Sequence, residues 1–183
     1  MQRAVTVSYR VPIVTLSVLL FLLVAAIVVI QAGRAGQRAA EPCPVGDWDV
    51  LDYREQVAVE GLSSEVTFRG GEGTVLRLRA DGTGETDYGA RTTFTASAPD
   101  GRPIRLEVAG PVRFRYSLAA DGRSISVSPA GNDATSQLFI SDTAYGPRSK
   151  FQDPTGARSF KIDCSPVTLI QDDGRLSVGY RRR

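Results

Sequence analysis

The chain contains no histidine, one methionine, one tryptophan and two cysteines in 183 residues. The missing histidine removes the commonest general base and metal ligand, and with it every Ser-His or Cys-His nucleophile arrangement. Lysine is almost as scarce. Only Lys150 and Lys161 occur, and the other basic residues are arginines, a bias associated with GC-rich coding sequence. Excess charge of one sign is lacking too. The chain carries 22 Lys and Arg against 20 Asp and Glu, but Arg3, Arg10, Arg34 and Arg38 all precede Glu41, which leaves 18 basic against 20 acidic residues beyond it. A domain at −2 lacks the clustered positive field that nucleic-acid binding by bulk electrostatics requires, so no nucleic-acid partner is expected. Beyond residue 40, no stretch shows a helical period.

What is present is one long apolar run. Val11 to Ile30 contains no charge and is polar only at Thr15 and Ser17. As a helix rising about 1.5 Å per residue it covers about 30 Å, the hydrocarbon thickness of a bilayer. A cleaved secretory signal has a shorter apolar core ending in a small-x-small site, and Ile30-Gln31-Ala32 is a poor one. The expectation is a single-pass anchor at 11–30, with residues 1–10 cytoplasmic, 31–44 a small, polar linker, and 45–183 an extracytoplasmic domain. Positive charges flank the run two on each side, so they do not orient it. The cysteines decide. A lone, distant pair outside the membrane reads as one disulfide, Cys43 to Cys164, the competing reading being two buried free thiols. Two cysteines without histidine offer too few ligands for a metal site.

From residue 45 onward the apolar pattern has period two. Trp48 and Val50 share a face in a first strand running through Tyr53. Val66 and Phe68, Leu76 and Leu78, the Ile104-Leu106-Val108 set, the Val112-Phe114-Tyr116 set, and Ile125 and Val127 all alternate with polar residues. Leu138 to Ile140 is a short apolar run, and three more strands cover Phe160 to Cys164, Val167 to Gln171 and Leu176 to Tyr180. Hairpin signals stand at Asp81-Gly82, Asp121-Gly122 and Asp172-Asp173-Gly174. Gly70 to Gly73 reads as a hairpin connection, and residues 141–158 read as a long loop. Many short antiparallel strands with one apolar face predict a closed barrel or a two-sheet sandwich. Cys43 precedes the first strand instead of lying on one, which favours the barrel. The fold class is therefore all-β, an antiparallel barrel of 8–10 strands behind a single N-terminal transmembrane helix.

At Cys43-Pro44-Val45-Gly46-Asp47-Trp48 the chain resembles the opening of a lipocalin-like barrel, whose first strand carries Gly-x-Trp. It is similar also to bacterial secreted or membrane-tethered β-domains, largely uncharacterised, that pair Cys-x-x-Gly-x-Trp with a later cysteine and a final strand ending in arginine. The resemblance implies that Gly46, Trp48 and one of Arg181 or Arg182 close one end of the barrel. A flat indole beside a glycine can cover exposed core, while an arginine stacks on its face with its charge still wet.

Candidate chemistry is sparse. Asp172 and Asp173 precede Gly174 in a turn and read as a solvated hairpin tip. Asp47, Asp49 and Asp52 flank Trp48, but strand alternation does not converge them on a cation. Gly70-Gly71-Glu72-Gly73 precedes a strand and lacks the helix that a phosphate loop needs. No catalytic residue, cofactor or metal is assigned, and no enzymatic activity is expected. The resemblance implies a barrel that binds an apolar small molecule or lipid, its ligand-contacting residues unknown. The alternative is a filled barrel serving the cell envelope as a structural or protein-interaction module.

Overall fold

The computed structural model describes residues 43–58, 65–152 and 157–183. The expected membrane span at 11–30 lies outside these residues, as do the expected cytoplasmic tail and all but the end of the linker. Thirteen strand segments and no helix make up the described domain. They are β1 (Gly46–Ala58), β2 (Glu65–Gly70), β3 (Val75–Leu78), β4 (Thr83–Asp87), β5 (Thr92–Ser97), β6 (Pro103–Ala109) and β7 (Pro111–Leu118). After these come β8 (Ser124–Asn132), β9 (Thr135–Ile140), β10 (Thr143–Lys150), β11 (Arg158–Cys164), β12 (Thr168–Asp172) and β13 (Leu176–Arg182).

The thirteen segments reduce to eight long strands. β2 and β3 both pair with β1, at Arg54–Ala58 and Gly46–Asp49 respectively, and never with each other. They are two halves of one bent strand. The same holds for β4 with β5, β6 with β7 and β8 with β9, because each half pairs with the corresponding half of a neighbouring strand, and β10 and β11, paired with β9 and β8, take the two halves of the sixth position. Every neighbour is antiparallel and next in sequence. Pairing of β1 with β13 from Trp48↔Arg182 to Glu55↔Leu176 closes an eight-stranded up-and-down barrel. In the half that it joins, closure satisfies the edge groups that an open sheet would leave bare.

Glycines mark several of the bends. Gly70-Gly71-Glu72-Gly73, expected to join a hairpin, instead turns one strand through a corner: the Gly71 N–H donates to Thr93 O at 3.1 Å, and a Cβ on Gly70 would stand 2.6 Å from that oxygen. Gly110, at φ +93°, donates to Gly89 O across the next bend. On β1 the register shifts between Val50 and Asp52, a β-bulge that leaves Leu51 on the surface. The inward face therefore passes from Trp48 and Val50 to Tyr53, Glu55 and Val57.

The long loop expected at 141–158 is replaced over residues 141–150 by a hairpin. Ser141 and Asp142 adopt φ of 49° and 61°, the left-handed pair of a tight two-residue hairpin, and Thr143–Lys150 returns as β10. Every residue of β10 is exposed. No apolar alternation marks it, because neither of its faces meets core.

Two clusters fill the barrel, one above the other. Trp48, Leu76, Leu78, Ile125, Phe160, Leu169 and their neighbours occupy the closed half. Val66, Phe68, Phe94, Ile104, Val108 and Phe151 line the half where β10 and β1 do not pair.

Candidate functional site

Where the chain enters the barrel, Gly46, Trp48 and Arg182 meet. Trp48 is fully buried, and its indole N–H donates to Pro44 O at 2.8 Å. The Arg182 guanidinium lies 4.4 Å from the indole centroid and donates to Val45 O at 3.0 Å and Pro166 O at 2.8 Å. Register places the two residues directly opposite on β1 and β13. Gly46, at φ +141°, leaves the space that the guanidinium uses: a Cβ there would stand 2.5 Å from Arg182 Nη1. Of the two arginines singled out from the sequence, Arg182 takes this place. Arg181, one residue earlier on the alternating strand, is exposed on the opposite face. Arg183 binds Asp49 at 2.7 Å and its N–H donates to Asp47 O.

Cys43 and Cys164 form a disulfide with Cα atoms 6.1 Å apart. It ties the residues before β1 to the end of β11, and both cysteines pack against the closed-half core. Pro44 is fully buried beside it.

The interior is mostly side chain. A cavity of about 50 Å³ lies between Val50, Leu76, Phe114, Phe160 and Tyr180 of the closed half and Phe94 of the other. Its polar atoms satisfy one another: the Tyr180 hydroxyl donates to Gln171 Oε1 at 2.8 Å, and burial pushes that phenol's pKa up. A second cavity of about 100 Å³ lies in the other half between Tyr53, Val57, Phe68, Phe94, Leu106 and Phe151. Pockets that hold drug-sized ligands run from about 300 to 1,000 Å³.

One buried polar cluster escaped the sequence reading. Glu55 is 6% exposed, accepts a hydrogen bond from the Tyr53 hydroxyl, and lies 3.9 Å from Arg158. Arg158 also pairs with Asp173. Burial pushes the Tyr53 phenol's pKa up, and the neighbouring Glu55 adds to the shift. For Asp173 burial acts upward as well, but N–H donors from Leu176 and Arg175 and the Arg158 charge outweigh it, so its carboxyl titrates below the ordinary range. Asp173 thus caps its own turn, at 2.8 Å to Leu176 N, and latches that turn to β11 and β1. Only the place of Glu55 could be read from the sequence. Once a bulge is allowed, Glu55 falls on the inward face between Tyr53 and Val57.

The other acidic residues singled out from the sequence are spread over the outer wall. Asp47 pairs with Arg79 and Asp49 with Arg183, each at 2.7 Å. Asp172 accepts from Gly174 N within its turn. Among the described residues, no three His, Cys, Asp or Glu side chains are grouped to hold a metal ion. No protein-family model matches the chain, and no curated protein or solved structure matches it either.

Proposed function

We propose that this chain is a membrane-anchored, extracytoplasmic, lipocalin-like barrel without catalytic activity, in which a filled interior acts as scaffold and the outer wall meets a cell-envelope partner. The observation that carries this reading is interior volume. Cavities of about 50 and 100 Å³ fall well below the 300 Å³ at which small-molecule pockets begin. They suit one or a few ordered waters beside the Gln171 and Tyr180 polar atoms better than an acyl chain. The expected apolar ligand would have to displace the packed aromatic residues Phe94, Phe114 and Phe160. The likeness to lipocalins rests on the eight-strand meander together with the Gly46, Trp48 and Arg182 stack. Support for an extracytoplasmic place comes from the Cys43–Cys164 bond, since such bonds persist in oxidising compartments.

Native mass spectrometry of the full chain, released gently from nonionic detergent, tests the reading. The expected result is a bare polypeptide mass. A stoichiometric small molecule retained through release and lost in a Phe94→Trp variant would return the apolar-ligand reading. Thiol labelling of intact cells without reductant tests the compartment, and modification of both Cys43 and Cys164 would overturn it.

A further inference from the structure

Most arginines on the outer wall have a carboxylate at hand. Arg77 meets Glu85 and Asp87, Arg113 meets Glu85 and Asp133, and Arg175 meets Glu65. Arg54 and Arg69 depart from this pattern, as do Arg115, Arg123 and Arg181, but only Arg54 and Arg69 stand directly opposite each other. They lie on β1 and β2, both exposed, and neither has an acidic oxygen within 4.0 Å among the described residues. Directly paired residues in an antiparallel sheet project from the same face with Cα atoms about 5 Å apart, where like charges are destabilising. The nearest carboxylate by register is Asp52, two residues before Arg54 and opposite Gly179. Asp52 is thus the one carboxylate next to the pair by register, and Asp172, opposite Ser177, lies two strands from Arg54.

The row continues on both sides with hydroxyls, and beyond Ser177 it reaches Asp172 of β12, whose carboxylate accepts from Gly174 N at 2.8 Å. Arg54 is also paired with Ser177 of β13, and Arg69 with Thr95 of β5. Beyond Thr95 comes Arg105 on β6, whose guanidinium is engaged by Glu107 and stacked 4.0 Å from the Phe139 ring. The sheet thus aligns Ser177, Arg54, Arg69 and Thr95 across four adjacent strands, two forked cations between two hydroxyls. Guanidinium forks match the oxygens of a tetrahedral oxyanion in bidentate fashion, and a hydroxyl donates to a remaining oxygen. An anion seated there would offset the repulsion that the bare pair carries.

We propose that Arg54 and Arg69, flanked by Ser177 and Thr95, form a phosphate-binding site on the outer wall, for phosphate either free or as an ester. The site does not depend on what fills the barrel, so its failure and that of the scaffold reading are separate results.

The test titrates the full chain, in maltoside micelles at constant ionic strength, with inorganic phosphate and with glycerol phosphate, against chloride as control. Side-chain Nε–Hε resonances are assigned by their loss in R54Q and R69Q. The two assigned signals are expected to shift together and saturate, with binding weakened about tenfold in either single variant and absent in the double variant. Tighter binding of glycerol phosphate marks an ester as the ligand, and tighter binding of inorganic phosphate marks the free ion. Shifts no larger than those in chloride, or unchanged affinity in the double variant, overturn the proposal. R69Q should also melt no lower than the parent in dilute phosphate-free buffer, because it relieves a like-charge pair. A lower melting temperature would refute the repulsion on which the site rests.

Discussion

Replacing Gly46 by alanine probes the seam where the barrel closes. Two costs arise, and they separate. The first is local: an L-residue at φ +141° is strained by about 1–3 kcal/mol whatever surrounds it. The second runs through Arg182, whose Nη1 would stand 2.5 Å from the new methyl group. A flexible side chain can usually retreat from such a contact, but this one is held at three points, by Val45 O, Pro166 O and the Trp48 ring. Retreat forfeits a cation–π contact of about 0.5–2 kcal/mol and weakens the charge-assisted hydrogen bond to Val45. Arg182 is half-buried, which places its share at the lower end. Gly46→Ala should therefore cost about 1–3 kcal/mol in an Arg182→Ala background, where the guanidinium is gone, and about 1 kcal/mol more than that in the parent. Urea unfolding followed by tryptophan fluorescence reads this directly, since Trp48 is the only tryptophan and lies under the guanidinium. Equal costs in both backgrounds would refute the claim that glycine is required there by Arg182.

Three further perturbations have defined outcomes. Replacing both Cys43 and Cys164 by serine opens a loop spanning 121 residues and should lower stability by up to about 5 kcal/mol on the chain-entropy scale, read as a fall in the urea midpoint. Tyr180→Phe strands Gln171 Oε1 in the interior and should cost about 1–3 kcal/mol, whereas Tyr180→Phe with Gln171→Met should recover part of that loss. Asp173 titrates below its ordinary range in the fold, so the stability it contributes is complete above the unfolded-state pKa near 4 and is lost as pH falls through the lower folded value. Asp173→Asn should accordingly destabilise at pH 7 and converge with the parent in acid, and a deficit that persists at pH 2 would contradict this.

The fold class was legible because burial has period two along most strands. Ile104 and Val108, or Val112 and Phe114, point inward at alternate positions, and sequence alternation reports that directly. Turn chemistry was legible for the same reason at Asp81-Gly82 and Asp121-Gly122, where glycine supplies the positive φ. Bends were not. A kink at Gly70-Gly71 or Gly110 interrupts alternation just as a turn does, and only the pairing partners separate the two cases. β10 was invisible because the Thr143–Lys150 segment buries nothing, and its turn uses Ser141-Asp142 without glycine. The Gly46, Trp48 and Arg182 grouping could be anticipated from a motif. Glu55, Arg158 and Asp173 come together only through the order of the strands, which residue patterns do not encode.

The count of long strands has a consequence of parity. Eight traverses are even, so the polypeptide leaves at the pole where it came in, and the backbone hydrogen bond from Arg183 to Asp47 holds the two together. Whatever precedes Cys43 is joined to that pole. The opposite rim carries the turns at Ala98–Arg102, Ser141–Asp142 and Asp172–Arg175, so a tag placed in the Ala98–Arg102 turn would stand farther from Cys43 than one appended after Arg183.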